Sequence, residues 1–219
     1  MASQASVAFE QSRKDILMLC IHAEVVGKGK GRRRRADVLN RAVVVFVSAC
    51  WESYVEDSAK EAFDQLLRFA TTPDVIPAKV RALAADELRA SKDERDIWKL
   101  AESGWKRVLW DYRDKVLEKR LKNFNTPKSQ QVSTLFCELL GLRDVTRNWS
   151  WADMSTEQAR IKLDEYVIIR GNIAHRTKHD QVVHKNMDKD FMTHVVKLVE
   201  KTDDALHDHL RALVTTPNQ

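Results

Sequence analysis

The run Arg170-Gly171-Asn172-Ile173-Ala174-His175 places a permanent cation, a carboxamide and an imidazole within six residues. An arginine holds a phosphate through two parallel N–H bonds and stabilises the added charge of a pentacovalent transition state. A histidine moves protons near neutral pH, from an attacking hydroxyl or to a leaving oxygen. The residue types therefore suit phosphodiester chemistry, with a ribose 2′-hydroxyl as nucleophile. A plainer reading stays open: the arginine pairs with a buried acid, and the histidine sits at a helix C-terminus where the dipole favours its charge.

The positions of these residues depend on the helix that carries them. Leu163, Tyr166 and Val167 precede Arg170 by seven, four and three residues, so the arginine leaves the inward stripe of an amphipathic helix. A cation there is costly unless it is paired or faces a crevice. His175 follows five residues later, about 140° around an unbroken helix. The two share a site only if the helix loosens at Gly171 or if two chains assemble the site. Asn172 and His175, three apart, can face the same way. Glu52 is the next candidate. Ser48, Ala49 and Ala59 lie beside it at helical spacing and leave room for a crevice, from which its carboxylate could hold Arg170 or orient His175. It also reads as an exposed glutamate on a long helix.

Charge is unevenly placed along the chain. The net +5 is carried by one segment, in which Lys28, Lys30, Arg32, Arg33, Arg34 and Arg35 follow one another with no acid between them. Its natural partner is a polyanion, and RNA is the one the Arg–His run suits. The segment also reads as a solvated connection. A second basic stretch, from Lys106 to Lys122, sits beside Trp105, Trp110 and Tyr112, which could stack bases; core packing of these rings is the simpler reading. His175, His179 and His184 with Asp180 give the spacing of a zinc chelate. No fourth ligand is signalled there and no glutamate stands as in H-E-x-x-H, so no metal and no cofactor is expected.

Six glycines and four prolines in 219 residues are too few for a turn-rich β-sandwich or barrel. Long helices with few connections are the economical reading, and the fold class is all-α. The first helix is expected over about Ser6–Val26, stopped by Gly27, Gly29 and Gly31. The second runs for about thirty residues through Leu39, Val43, Val47, Trp51, Tyr54, Phe63 and Leu67. Pro73 and Pro77 break it. Three shorter helices then follow: Ala78–Arg89, one opened by the capping pattern Ser91-Lys-Asp-Glu94, and Trp105–Lys122. Thr126-Pro127 reads as the start of another that Gly141 ends. Ser155-Thr-Glu-Gln158 opens the penultimate helix, and the last spans about Met187–Val214. The four long helices form a bundle in a single domain over 1–219, with residues 73–141 as a helical insertion between the second and third core helices. Three scattered cysteines fit a reducing cytoplasm. No apolar stretch approaches the length of a membrane span and no leader is visible, so neither export nor a membrane is expected.

The run Arg170-x4-His175 at the end of the third core helix resembles the signature of the HEPN superfamily. The second helix, with Asn40-Arg41 and Trp51-Glu52-Ser-Tyr-Val-Glu56-Asp57, is similar to its RiboL-PSP branch. The resemblance implies a metal-independent endoribonuclease of a toxin–antitoxin or abortive-infection type, with a neutralising antitoxin or a defence protein as a possible partner. It implies that Arg170 and His175 are catalytic, that Asn172 takes the polar role beside the arginine, and that the active unit is a homodimer with the two motifs facing each other. Gly171 departs from the pattern, since a polar residue is frequent directly after the arginine. The alternative within the superfamily is a non-catalytic module that binds RNA or a partner.

Overall fold

The computed structural model describes residues 2–27, 33–121, 127–175 and 187–215. Among them seven α-helices follow one another: α1 Gln4–Gly27, α2 Arg33–Phe69, α3 Ala78–Arg89, α4 Gly104–Leu121, α5 Ser129–Leu140, α6 Thr156–His175 and α7 Met187–Thr215. Short 3-10 turns cover Pro73–Val75, Glu94–Leu100 and Val145–Asn148. The fold is all-α, as the low glycine and proline content requires; among the described residues the one β-type pairing is the isolated bridge Trp151–Met154.

The periodic stripes of the sequence become the core. Phe9, Ile16, Cys20 and Ala23 of α1 are buried, as are Val43, Val47, Trp51, Tyr54, Phe63 and Leu67 of α2. By length and composition Asp37–Phe69 could cross a membrane, which the sequence reading did not anticipate. Of its apolar side chains, Val43, Val44, Val47, Trp51, Val55, Phe63, Leu66 and Leu67 fill the centre of the bundle, while Val38, Phe46 and Phe69 stay exposed. Residues 73–141 share this core: Val132, Leu135, Phe136, Leu139 and Leu140 of α5 are all fully buried. Truncating one such leucine to alanine costs about 2–5 kcal/mol.

Two tryptophans tie the layers together. The Trp51 indole N–H donates to the Pro127 carbonyl at 3.1 Å, and that of Trp149 to the Thr202 hydroxyl at 2.9 Å. The two rings meet edge to face with centroids 5.9 Å apart. Tyr54 adds a bond from its hydroxyl to Asp203 of α7.

Helix ends show which local signals the chain obeys. Ser155 and Gln158 cap α6 reciprocally, as their spacing predicts. Gly141 ends α5 in the left-handed region, φ 68°. The Ser91–Glu94 pattern does not open an α-helix. Asp93 caps a 3-10 turn instead, and the Ser91 hydroxyl donates to Asp96. Ile97, Trp98 and Leu100 are exposed there, so no buried stripe sustains a regular helix. α5 begins at Ser129 rather than at Pro127, because Asp164 of α6 accepts from both the N–H and the hydroxyl of Ser129. Thr126, the expected cap, lies outside the described residues.

Helix directions decide what gathers where. Gln4 and Ala5 donate their N–H groups to Glu61, and Phe9 lies edge-on against Tyr54, so α1 runs antiparallel to α2. Ser3 bonds Asp203 while Glu24 pairs with Lys189, so α1 also opposes α7. His194 bonds the Ala159 carbonyl and Tyr166 stacks on Phe191, so α6 opposes α7. The C-terminal ends of α1 and α6 and the N-terminal ends of α2 and α7 therefore meet at one end of the bundle.

Candidate functional site

That end carries the Arg170–His175 run. Leu163 is fully buried and Tyr166 and Val167 nearly so. Arg170, continuing this inward stripe, is half-buried; its Nε is shielded from water and has no hydrogen-bond partner among the described residues. An unpaired buried N–H costs about 1–3 kcal/mol, so its retention calls for an acceptor from elsewhere.

α6 does not loosen at Gly171. The helix continues to His175, and a Cβ added at Gly171 would meet nothing within 4 Å. Of the two routes by which Arg170 and His175 could share a site, the structure thus removes the single-chain one through a break at the glycine. Asn172 is half-buried on the same turn. The His175 side chain lies outside the described residues. Outward, α6 shows Ile161 at 50% and Ile168 at 52% exposure, seven residues apart and in register with position 175. They form a half-exposed apolar stripe among the described residues.

The cationic segment is flanked by Gly27 and Arg33, both at this end. Lys28, Lys30 and Arg32 lie outside the described residues, as do the side chains of Arg33, Arg34 and Arg35, whose backbone forms the first turn of α2. Much of the second basic stretch is paired: Arg107 with Asp111, Arg113 with Asp64 and Asp114, Lys115 with Glu87, and Arg120 with Glu138. Tyr112 is buried with its hydroxyl on the Glu138 carbonyl, and Trp110 donates to Asp64. The aromatics there serve packing.

Glu52 is half-buried on α2 and has a partner of its own. It lies eleven residues beyond Arg41, about 16 Å further from the motif end. One turn on, burial raises the Glu56 carboxyl, helped by the charges of Glu52 and Asp57. The described residues hold no group of three or more metal-ligating side chains, and His179, His184 and Asp180 lie outside them. His209 of α7 donates from Nε2 to the Leu140 carbonyl at 2.8 Å.

Two residues escaped sequence reasoning. Arg41 is paired with Asp37 at 2.6 Å, yet its Nε is also buried without a partner. In the sequence the pair looks like an ordinary i,i+4 surface contact. His194 is buried between the rings of Trp151 and Tyr166, and burial depresses its pKa to about 4. Its place on the Phe191–Val195–Leu198 stripe was the available signal. Above it a groove of about 510 Å³ opens along α6 and α7, lined by Lys162, Glu165, Tyr166, Ile169, Met187 and Asp190. Burial, with the charges of Asp190 and Glu165, raises the Tyr166 phenol to about 12.

The family model described as RiboL-PSP-HEPN matches residues 8–208. No curated protein and no solved structure gives a match.

Proposed function

Because the chain belongs to the RiboL-PSP-HEPN family, whose members are often ribonucleases or RNA-binding modules, we propose that it is a metal-independent endoribonuclease. The observation that carries this reading is the buried Arg170 Nε–H, without a partner among the described residues, at the one end of the bundle that also receives both flanks of the cationic segment. A phosphate is the acceptor that satisfies such a donor with charge.

In this mechanism His175 removes the proton from a ribose 2′-hydroxyl. The 2′-oxygen attacks the adjacent phosphorus while Arg170, supported by Asn172, holds the non-bridging oxygens. The P–O5′ bond breaks and the leaving oxygen takes up a proton. A 2′,3′-cyclic phosphate and a 5′-hydroxyl result. Lys28, Lys30 and Arg32 to Arg35 hold the backbone of the same RNA through salt-sensitive contacts. Glu52, about 16 Å further along α2, lies too far from this end to orient His175 and takes no part in the step.

Since Arg170 and His175 diverge on an unbroken helix, the productive pair comes from two copies. Pairing α6 with α6 about a two-fold axis buries the exposed Ile161 and Ile168 stripe, which runs in register to His175. Such a toxin or abortive-infection effector is held in check by a neutralising partner. The divergence also favours a second reading, a non-catalytic RNA- or partner-binding module. Mixing inactive Arg170→Ala and His175→Ala chains separates the two: a composite site regains one intact pair and partial cleavage. A wild type that leaves growth and cellular RNA unchanged relative to His175→Ala supports the binding module.

A further inference from the structure

Arg41 lies in the same layer of the bundle as Arg170. Ser12 of α1 faces Cys50 of α2, and eight residues further along α1 the Cys20 thiol faces Asp188 of α7. Antiparallel pairing puts the α2 neighbour of Cys20 about eight residues before Cys50, at Arg41 and Ala42. Met187 and Ile169 line one groove, which brings Arg170 to the same height on α6. α2 and α6 are in direct contact, and packed helices lie about 8–10 Å apart. Two guanidinium groups on facing helices are then within reach of one anion.

Their hydrogen bonding points the same way. Arg41 Nη2 is fixed by Asp37, its side chain being 22% exposed, while its Nε–H is buried without a partner among the described residues. Arg170 Nε–H is in the same condition. Arg13, Arg95, Arg120 and Arg160 each donate through Nε to an acid or a hydroxyl, whereas Arg81 of α3, fixed by Asp74 through Nη1, shares the unpartnered Nε; what sets Arg41 and Arg170 apart is that two such donors fall in one layer. Two arginine N–H donors in one layer, without a partner among the described residues, leave room for a hydrogen-bond acceptor such as a phosphate oxygen.

We infer that Arg41 is a second phosphate-binding residue, which together with Arg170 clamps one phosphodiester of a bound RNA strand, Asp37 being its positioning residue. The inference rests on the RNA-cleaving or RNA-binding reading above. It assigns Arg41 to ground-state binding rather than to proton transfer.

The test uses the full chain with 15N-labelled arginine and an oligoribonucleotide methylated at every 2′-oxygen, which binds but cannot be cleaved. The Nε–H resonances of Arg41 and Arg170 should move together, with one dissociation constant. Arg41→Lys, which keeps the charge and the Asp37 pair, should weaken binding of the methylated oligonucleotide about tenfold, the worth of one charge-assisted hydrogen bond. If the oligonucleotide binds and moves Arg170 while Arg41 stays still, the assignment of Arg41 is wrong and the RNA reading stands. If it does not bind, both are wrong. Should Arg41→Lys fold poorly, the wild-type resonances decide alone.

Discussion

Acidification from pH 7 to pH 4 should destabilise this protein through His194. The Nε2 of this ring lies 3.1 Å from the Ala159 carbonyl, so Nε2 carries the hydrogen and Nδ1 the lone pair. Nδ1 is buried and has no partner, so a second proton would be a charged donor without an acceptor. Burial holds the pKa near 4 against 6.5 in the unfolded chain; the charge of Lys162 acts in the same direction and the Ala159 bond against it. The unfolded chain thus takes up its proton below pH 6.5, the folded one only below about 4. Stability is present above 6.5 and falls as the pH drops through this window, by about 3 kcal/mol in total. The assay is urea unfolding of the wild type and His194→Met at half-unit steps. Carboxylates titrate alike in both, so the difference between the two curves isolates the histidine. It should shrink by about 3 kcal/mol from pH 7 to pH 4. A constant difference, or a His194 ring that titrates near 6.5 by NMR, would refute the account.

Two glycines should respond in opposite directions. Gly171→Ala puts a methyl into open space inside a helix and should add up to about 1 kcal/mol, about 2–4 °C in Tm, whereas Gly141→Ala forces a left-handed residue against Pro77 and should lose more than 1 kcal/mol. Equal signs in thermal melts would contradict both packings. Replacing Arg32 to Arg35 with serine should flatten the salt dependence of RNA association, read as the slope of log affinity against log salt, with little effect on turnover of bound substrate. Cleavage should persist in excess chelator; activity lost with EDTA and restored by zinc would revive the histidine cluster.

Legibility in the sequence followed burial. Helices with a sustained apolar stripe, such as α2 and α7, were readable nearly to their ends. Ser155–Gln158 and Ser91–Glu94 carry the same capping signal, but only the first is followed by residues the core covers, Ala159 and Leu163. The second leads into Ile97 and Trp98, which stay in water, and the cap alone does not hold an α-helix. The inward placement of Arg170 was legible because three apolar neighbours announced it. Arg41 was not, since its value depends on a layer formed by four helices distant in sequence, and Asp37 made it look complete. The tertiary cap of Ser129 by Asp164 was hidden for the same reason.

The hydrogen bonds from Ser3 to Asp203 join residues at opposite ends of the chain. During synthesis at about 5–20 residues per second, the first helix waits about 10–40 s for this acceptor to be made. α1 and α2 can pair as a hairpin early, but Val43, Val44 and Val47 keep an uncovered side until α6 and α7 emerge. A newborn chain therefore carries a sticky hairpin, a target for chaperones, for most of its synthesis. Asp188 belongs to α7, so the layer it shares with Arg41 and Arg170 closes only when the final helix docks, and a ribosome-bound fragment lacking α7 leaves that layer open.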